Sequence, residues 1–452
     1  MKLTFTGSLL RPFAAMAVML FAPMTLFAQT FDEIESQARK GDDEAQLNLG
    51  VCYYFGDGVE QSYDEAFKWF KKSAKQGNAD AQANVGLSYF FGEGVKKSVE
   101  TATKWFKKSA KQGDAVGQFR LGNAYYYGYG VDIDYVESVK WYRLAAEQGH
   151  KRAQMSMGYA YQEGEGVEVD AFEATRWYRM AAEQGLDIAQ VTLGHRYAWG
   201  EGVEQDYVEA MKWYQLAAAQ GNAEAQDSIG ILYYHGLGVT QNYAESVKWY
   251  KLAAMQGYPQ AQNHLGRRYY YGEGVDQNYE QAVKWYMAAA EQGHAYAQSN
   301  LGQCYFNGDG VEQDYTQAFM WYSLSAELGY DVAQYWMGIL FEYGYGVDAD
   351  AYEAFKWYSL SAEQGYDPAL NKLGDCYYYG NGVHQDYEKA FELFMLAVER
   401  GSVLAHYNAG YCLIYGDGVE NNYEEGVKLL TIAAENGHEG AQQLLNDLGE
   451  KW

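Results

Sequence analysis

A 36-residue period runs through almost the whole chain and limits the folds open to it. Glycine recurs at this interval eleven times without an insertion or deletion, from Gly50 to Gly410. The motif Gly-x-Gly-Val recurs at the same interval, from residues 56–59 to residues 416–419. A chain this regular is typical of an array of equal structural repeats, each touching mainly its neighbours. We therefore predict one repeat array instead of the two or three globular domains that length alone suggests.

Each repeat contains two helical patterns separated by glycine. In the first repeat, helix A is predicted from about Glu44 to Phe55 and ends at Gly56, because a left-handed glycine closes many helices. Helix B is predicted to begin after Ser62, whose hydroxyl can cap the first turn, and to end at Gly77. Every later repeat has Ser, Asp or Asn at the position of Ser62. These residues are Ser98, Asp134, Asp170, Asp206, Asn242, Asn278, Asp314, Asp350, Asp386 and Asn422.

Half-repeats complete the predicted array at both ends. Residues 29–43 match helix B alone and residues 440–452 match helix A alone, on either side of eleven repeats at residues 44–439. Such caps cover the apolar faces that an open array would expose. We therefore predict an all-α fold of 36-residue helix-turn-helix repeats, with 23 main helices, or 24 with the closing helix A.

Residues 1–28 have the pattern of a cleaved secretory signal peptide. Lys2 and Arg11 give a positive start, an apolar stretch covers residues 12–27, and the small Ala28 closes it. The apolar stretch is shorter than the roughly 20 residues that a membrane-spanning helix needs. We expect an exported protein, in the bacterial periplasm or secreted, without insertion into the membrane.

Charge and cysteine positions limit the partners and the chemistry. A net charge of −26 repels phosphate backbones, so we expect no nucleic-acid binding. The four cysteines occupy one repeat position, which places them at least one repeat spacing of ~10 Å apart. A disulfide needs Cα atoms within about 7 Å, so we predict free, partly buried thiols. These cysteines are Cys52, Cys304, Cys376 and Cys412.

Two repeated residues are predicted to form the core. Nine repeats have a tryptophan in helix B at the position of Trp69, and the last two have Leu393 and Leu429 there. A position that accepts leucine is typical of a helix core. Gly50 lies inside helix A, where glycine costs about 1 kcal/mol relative to alanine. We expect this glycine to allow helix B a close approach.

The repeat resembles a known family. Residues 225–257 contain nearly its whole pattern, which is Ala225, Gln226, Ile229, Gly230, Tyr233, Gly236, Gly238, Val239, Trp249, Tyr250, Ala253, Ala254, Gln256 and Gly257. This pattern resembles the Sel-one-like repeat, a relative of the tetratricopeptide repeat, over essentially all of residues 31–449. The resemblance implies a right-handed α/α superhelical solenoid with helix A on the concave side, and adaptor, envelope or host-interaction functions. A cysteine-rich branch of that family has been described as binding or cleaving β-lactams, but this chain lacks its cysteine pair.

No motif in the sequence predicts catalysis. The Gly-x-Gly turns lack the Lys-Ser/Thr of a phosphate loop, and the common signatures of serine hydrolases, β-lactamases and zinc proteases are missing. The acidic residues of the turns, such as Asp57, Glu93 and Asp309, offer too few oxygens for calcium and are expected to be solvated. We predict a non-enzymatic protein without metal or cofactor.

One face of helix A varies between repeats, and it is the predicted binding surface. In the middle repeats this face carries arginine, histidine and aromatic residues in an otherwise acidic chain. Arginine and aromatic residues dominate protein-binding hot spots. The alternative is that these charges pair with neighbouring acids on a wet surface. The predicted ligand-binding residues are Arg120, His195, Arg196, Trp199, His264, Arg267, Arg268 and Tyr271.

The sequence therefore favours a monomeric repeat scaffold that holds a protein or peptide partner on the concave helix A face. Two alternatives stay open. The aromatic residues could stack on the sugars of a cell-wall glycan such as peptidoglycan. A hydrolase acting on peptidoglycan or a β-lactam would need catalytic residues in an unrecognised arrangement.

Overall fold

The computed structural model describes residues 30–452, and this part of the chain consists of helices joined by short turns. It contains 24 α-helices and no strand. The prediction of an all-α array of helix-turn-helix repeats is confirmed. The predicted signal peptide, residues 1–28, lies outside the described residues. None of the described helices has the length and apolar character needed to cross a membrane.

The first of two compact units contains the described residues up to Gln220. Its even-numbered helices are helices A of the repeats and its odd-numbered helices are helices B. The helices are α1 (Phe31–Lys40), α2 (Asp43–Phe55), α3 (Tyr63–Gln76), α4 (Ala79–Phe91), α5 (Val99–Lys111), α6 (Ala115–Tyr127), α7 (Tyr135–Glu147), α8 (Lys151–Glu163), α9 (Ala171–Glu183), α10 (Asp187–Trp199) and α11 (Tyr207–Ala219).

The second compact unit runs from Gly221 to Trp452. The same numbering rule holds, so that helices A are even-numbered. The helices are α12 (Ala223–His235), α13 (Tyr243–Met255), α14 (Pro259–Tyr271), α15 (Tyr279–Ala290), α16 (Ala295–Asn307), α17 (Tyr315–Glu327), α18 (Asp331–Tyr343), α19 (Ala351–Glu363), α20 (Asp367–Tyr379), α21 (Tyr387–Glu399), α22 (Val403–Tyr415), α23 (Tyr423–Glu435) and α24 (Glu439–Leu448).

The helix ends follow the predicted caps. The Ser62 hydroxyl accepts a hydrogen bond from the backbone N–H of Glu65 at 3.3 Å, at the start of α3. All ten equivalent residues also cap their helices B through the side chain. Gly56 closes α2 with a φ of +81°, in the left-handed region that favours glycine. The predicted start and end of each helix pair are therefore confirmed.

The glycine inside helix A lies against an aromatic ring of helix B. A Cβ atom added to Gly230 would lie 2.6 Å from two ring carbons of Tyr250. Gly50 meets Phe70 at the same distance. Because no side chain fits in this space, glycine is required for the close approach that the sequence predicts. The ring that fills the space belongs to the residue after the repeated tryptophan. The sequence alone did not identify this residue as the partner of the glycine.

The tryptophans and cysteines lie where they were predicted. Trp69, Trp177 and Trp321 are buried, and the other six repeated tryptophans are partly buried, so their assignment to the core is confirmed. All four cysteines are free and buried. Burial raises the pKa of the Cys304 thiol to about 12, with a further increase from Asp309, so this thiol stays protonated.

A ladder of glutamine side chains connects consecutive repeats. The amide nitrogen of Gln82 donates to the backbone oxygen of Ala74 at 3.3 Å, and Gln112 donates to the side-chain oxygen of Gln82 at 2.9 Å. Gln118 then donates to the backbone of Ala110 at 3.4 Å. The Gln of the repeated Ala-Gln pair is thus a buried structural residue, which satisfies backbone oxygens at the ends of helices B.

Candidate functional site

The eight predicted binding residues all lie on helices A, but they are divided between the two units. Arg120 is on α6, and His195, Arg196 and Trp199 are on α10 of the first unit. The other four, from His264 to Tyr271, are on α14 of the second unit. Some of these side chains are buried in ion pairs and others are exposed to solvent.

Arg196 is a buried structural residue, so the prediction that it faces a ligand is wrong. Its side chain is 4% exposed. Its Nε donates to Thr175 Oγ1 at 2.9 Å, and its Nη2 donates to the backbone oxygen of Ala171 at 2.9 Å. Nη1 forms an ion pair with Glu201 at 3.0 Å. Arg196 therefore joins α10 to α9 and to the turn that follows α10.

Arg268 is buried in the same way in the second unit, so the prediction that its side chain faces a ligand is also wrong. Its Nη1 lies 2.6 Å from Glu273 Oε2, and its guanidinium stacks over the Tyr234 ring at 3.8 Å. Arg196 and Arg268 therefore pair with neighbouring acids, as the alternative interpretation of the sequence expects, since each meets an acid five residues later.

The remaining predicted residues on α10 and α14 are exposed in whole or in part, except His195. His195 is buried and stacks on Trp199 at 4.9 Å, and burial lowers the pKa of His195 to about 4. Trp199 keeps 37% of its surface exposed. Of the three remaining residues, His264 lies 2.8 Å from the buried Asp227, whereas Arg267 is exposed. Tyr271 is also exposed. A binding role for His195, Trp199, His264, Arg267 and Tyr271 stays a prediction.

The acidic turn residues are hydrogen-bond acceptors for tyrosines of the preceding repeat. Tyr54 donates to Glu93 at 3.0 Å and Tyr270 donates to Asp309 at 2.7 Å. The expectation that these acids are only solvated is therefore wrong for Glu93 and Asp309. Within residues 30–452, no three His, Cys, Asp or Glu side chains are grouped so that they could hold a metal ion.

Arg120 lies in a pocket of about 130 Å³ in the first unit, which we name the Arg120 pocket. The pocket is built mainly from three helices A, which are α4, α6 and α8. Side chains of the helices B α5 and α7 also line it. Its lining residues are Leu87, Phe90, Phe106, Phe119, Arg120, Asn123, Ala124, Tyr126, Tyr127, Tyr129, Val139, Tyr142, Arg152, Met155, Ser156, Tyr159, Ala160, Glu165, Leu186, Asp187 and Ile188.

The start of α6 and the packing of its glycine fix the position of Arg120. Asp114 caps α6 by accepting the backbone N–H of Gly117 at 2.6 Å. Gly122 lies against the Tyr142 ring, whose hydroxyl donates to Asn123 Oδ1 at 2.7 Å. Arg120 and Asn123 are three residues apart on the helix and share one face. That face lines the pocket.

The Arg120 side chain is partly buried, and its guanidinium carbon lies 5.6 Å from the centre of the Phe119 ring. The Nε and Nη2 atoms of Arg120 have almost no solvent-accessible surface and form no hydrogen bond. Burial lowers the pKa of Arg120 to about 10, Arg152 lowers it further, and Tyr142 opposes this change. Arg120 therefore stays charged at neutral pH. The groups that shift the pKa of Arg120 include no carboxylate.

Tyrosines form one side of the pocket. The Tyr126 hydroxyl donates to Glu165 Oε2 at 2.6 Å, and its ring centroid lies 4.7 Å from that of Tyr127 and 6.4 Å from that of Tyr159. Burial raises the pKa of Tyr126 and of Tyr127 above the usual range, so both hydroxyls stay neutral. The pocket thus combines an unpaired cation with neutral aromatic side chains.

His150 lies beside the pocket and does not add to its charge. Its ring stacks on Phe119 at 4.6 Å, and its Nδ1 accepts the backbone N–H of Ala153 at 3.1 Å as the cap of α8. Burial lowers the pKa of His150 to about 4, with further decreases from Arg120 and Arg152. The two arginines are therefore the cations that a ligand in the pocket would meet.

The family model described as Sel1 repeat matches eleven successive segments. They are residues 43–78, 79–114, 115–150, 151–186, 188–222, 223–258, 259–294, 295–330, 331–366, 367–402 and 403–438. The matched segments cover most of the chain, and each contains one helix A followed by one helix B.

Two solved structures are similar to this chain. One is c5321, a protective antigen present in uropathogenic Escherichia coli strains and displaying an SLR fold. It is 35% identical, with a TM-score of 0.78 over 93% of this chain and 90% of that chain. The other is a Sel1 repeat protein from Oxalobacter formigenes, 34% identical, with a TM-score of 0.52 over 67% of this chain and 87% of that chain. No curated protein matches the chain.

Proposed function

Since the chain belongs to the Sel1 repeat family, we propose that it is a non-catalytic scaffold that binds a protein partner at the Arg120 pocket. The observation that carries this proposal is the pocket itself, in which a charged and unpaired arginine lies beside tyrosines. Arginine and tyrosine are enriched among the residues that contribute most to protein–protein binding. The proposal of binding without catalysis is supported by the lack of hydrolase motifs in the sequence.

The pocket is specific to its place in the array. Arg120 occupies a repeat position that holds Asn84 in the preceding repeat and Ser156 in the next one. Arg152 occupies a position that holds Asp80 two repeats earlier. The chain has a net charge of −26, and at this pocket two arginines offset the two acids Glu165 and Asp187, which favours an acidic group of a partner more than the acidic remainder of the chain does.

Blocking the pocket tests the proposal. Ser156 lines the pocket, and the equivalent residue five repeats later, Trp336, stacks on Tyr322 with a centroid distance of 5.6 Å. Tyr142 is the equivalent of Tyr322, so Ser156→Trp should fill the pocket with an indole that the repeat already tolerates. Asn300→Trp makes the same change at the same repeat position in the second unit and is the matched control.

The measurement is capture of a partner from envelope and culture extracts by the purified protein. The wild-type protein and the Asn300→Trp variant should recover the same protein in stoichiometric amount, and the Ser156→Trp variant should lose it. Circular dichroism confirms that each variant is helical. Equal recovery by both tryptophan variants would place the binding site outside the pocket and overturn the proposal.

Export is part of the same proposal. It is supported by the order of Lys2, Arg11 and an apolar stretch at residues 12–27, which is the order found in secretory signal peptides. Amino-terminal sequencing of the protein recovered from the periplasm or the medium should begin at Gln29. A mature chain that retains residues 1–28 would contradict export by signal cleavage.

A second candidate function is binding of an envelope glycan. Large aromatic residues end several helices A and are exposed in both units, which suits stacking on sugar rings. These residues are Phe55, Trp199, Tyr271, Tyr343, Tyr379 and Tyr415. Co-sedimentation with purified peptidoglycan tests this function. Binding that is lost with Tyr343→Ala and Tyr379→Ala together, and kept with Ser156→Trp, would favour it over the protein partner.

A further inference from the structure

Arg120 differs from Arg196 and Arg268 because no carboxylate is among the groups that shift its pKa. Arg196 and Arg268 each meet a carboxylate, Glu201 and Glu273, at 3.0 Å and 2.6 Å. Arg120 has two nitrogen atoms that are shielded from solvent and form no hydrogen bond; Arg268 also has two such atoms, but one of them lies beside Glu273. Shielded nitrogen atoms of a charged group without an acceptor are costly, and at Arg120 the fold places no carboxylate to offset this cost. A ligand that supplies the missing acceptor would remove that cost.

The carboxylates of the pocket do not supply this acceptor. Glu165 accepts the hydroxyl of Tyr126 at 2.6 Å. Asp187 also lines the pocket and has an interaction of its own. Neither acid is among the groups that shift the pKa of Arg120, whereas Arg152 adds a second positive charge that acts on Arg120. The acceptor that Nε and Nη2 of Arg120 lack would therefore come from a bound group.

The rest of the lining limits the kind of anion. Much of the pocket wall is apolar and contains Leu87, Phe106, Val139 and Met155. A phosphate monoester has three terminal oxygens and a charge near −2, and the apolar wall offers no donor to an oxygen that faces it. A carboxylate has two oxygens and pairs with one guanidinium in a bidentate way. The wall also requires that the ligand carry an apolar group close to its charge.

We infer that the Arg120 pocket binds a carboxylate joined to an apolar group, and that in a protein partner this is the C-terminal residue. This inference rests on the proposed function. The C-terminal carboxylate and its side chain branch from the same carbon, so one residue can meet the guanidinium and the apolar wall together. An aspartate or glutamate side chain ends in its carboxylate and brings no apolar group of its own.

Peptides with and without a terminal carboxylate test the inference directly. The probe is an N-acetylated tetrapeptide, Gly-Gly-Gly-Phe, prepared as the free acid and as the carboxamide. The wild-type protein should bind the acid at least about tenfold more tightly than the amide, because a hydrogen-bonded charge is lost in the amide. 3-Phenylpropanoate carries the same two groups without a peptide and separates a protein terminus from a small organic acid.

Variants assign the effect to the pocket. Arg120→Gln should reduce binding of the acid at least about tenfold and make acid and amide equal. Arg143→Gln removes the same charge from α7, outside the pocket lining, and should bind as the wild-type protein does. The thermal unfolding midpoint of Arg120→Gln should be equal to or above that of the wild-type protein, because a buried unpaired charge is removed. This midpoint also shows that the variant is folded.

The outcomes separate this inference from the proposed function. Acid and amide that bind equally, or neither binding measurably, would overturn the carboxylate inference. An acid-specific binding that Arg120→Gln keeps would overturn it as well. Phenylpropanoate that binds as tightly as the peptide would overturn the assignment to a protein terminus. The proposed function would survive all these results as long as Ser156→Trp loses its partner and Asn300→Trp keeps it.

Discussion

The carboxylate of Glu273 lies 2.6 Å from the guanidinium of Arg268, and this ion pair holds a charge in the interior of the second unit. The arginine side chain is 4% exposed and the glutamate side chain is 31% exposed. The two partners are therefore unequal, because water can solvate the glutamate but not the arginine. The free energy of unfolding should depend on which of the two residues is replaced.

Replacing the acid should be more harmful than replacing the arginine. Glu273→Gln leaves Arg268 buried and unpaired and should lower the free energy of unfolding by on the order of 3 kcal/mol. Arg268→Leu should stay within about 1 kcal/mol of the wild-type protein, because an apolar residue often replaces a buried ion well. Leu232 and Leu340 already occupy this repeat position. Urea unfolding of both variants measures the difference. If Arg268→Leu were the less stable of the two, the ion pair would contribute net stability.

Alanine in place of the helix A glycine should destabilise according to the space beside it. A Cβ on Gly230 would lie 2.6 Å from the Tyr250 ring, whereas a Cβ on Gly302 would lie 3.0 Å from the Tyr322 ring. Overpacking costs about 1–3 kcal/mol, and alanine gains about 1 kcal/mol in helix propensity. Gly230→Ala should therefore be destabilising and Gly302→Ala close to neutral. Hydrogen exchange in each helix pair measures this. Equal exchange rates in the two variants would show that the ring moves away at little cost.

Asp375 should make the stability of the protein depend on pH. Burial raises its pKa to about 7, while Lys372 opposes this change and Glu342 adds to it. An unfolded aspartate has a pKa of about 4, so the folded state binds the proton more tightly. The stability from the protonated carboxyl is complete below about pH 4 and is lost as the pH rises through about 7.

Asp375→Asn removes this titration. The stability of the variant relative to the wild-type protein should increase from pH 4 to pH 7 and level off above it, as measured by thermal unfolding across that range. Asp348→Asn, at an exposed position, should follow the wild-type protein at every pH. A constant difference between Asp375→Asn and the wild-type protein would mean that Asp375 is ionised throughout.

The fold could be predicted from the sequence because its determinants are local and repeated. Ser62 caps a helix and Gly56 ends one through interactions within a few residues, and eleven copies of each remove ambiguity. The tyrosine that lies against Gly230 was not predicted, because it belongs to another helix and its distance depends on packing. The glutamine ladder was missed for the same reason.

The candidate site could be predicted only in part. Residue type and variability identified Arg120, but the same rule selected Arg196 and Arg268, which are buried in ion pairs. Glu201 and Glu273, each five residues after its arginine, were the signal in the sequence that distinguishes those two. Arg152 was missed because it lies 32 residues from Arg120, and only the packing of successive helices brings both to one pocket.

The dissociation constant of the captured partner tests the central claim most directly. Isothermal titration of that partner into the wild-type protein, Arg120→Gln and Arg143→Gln compares a charge removed inside the Arg120 pocket with one removed outside it. We predict binding at least about tenfold weaker for Arg120→Gln and unchanged for Arg143→Gln. Equal dissociation constants for all three proteins would contradict the claim that the partner is bound at the Arg120 pocket.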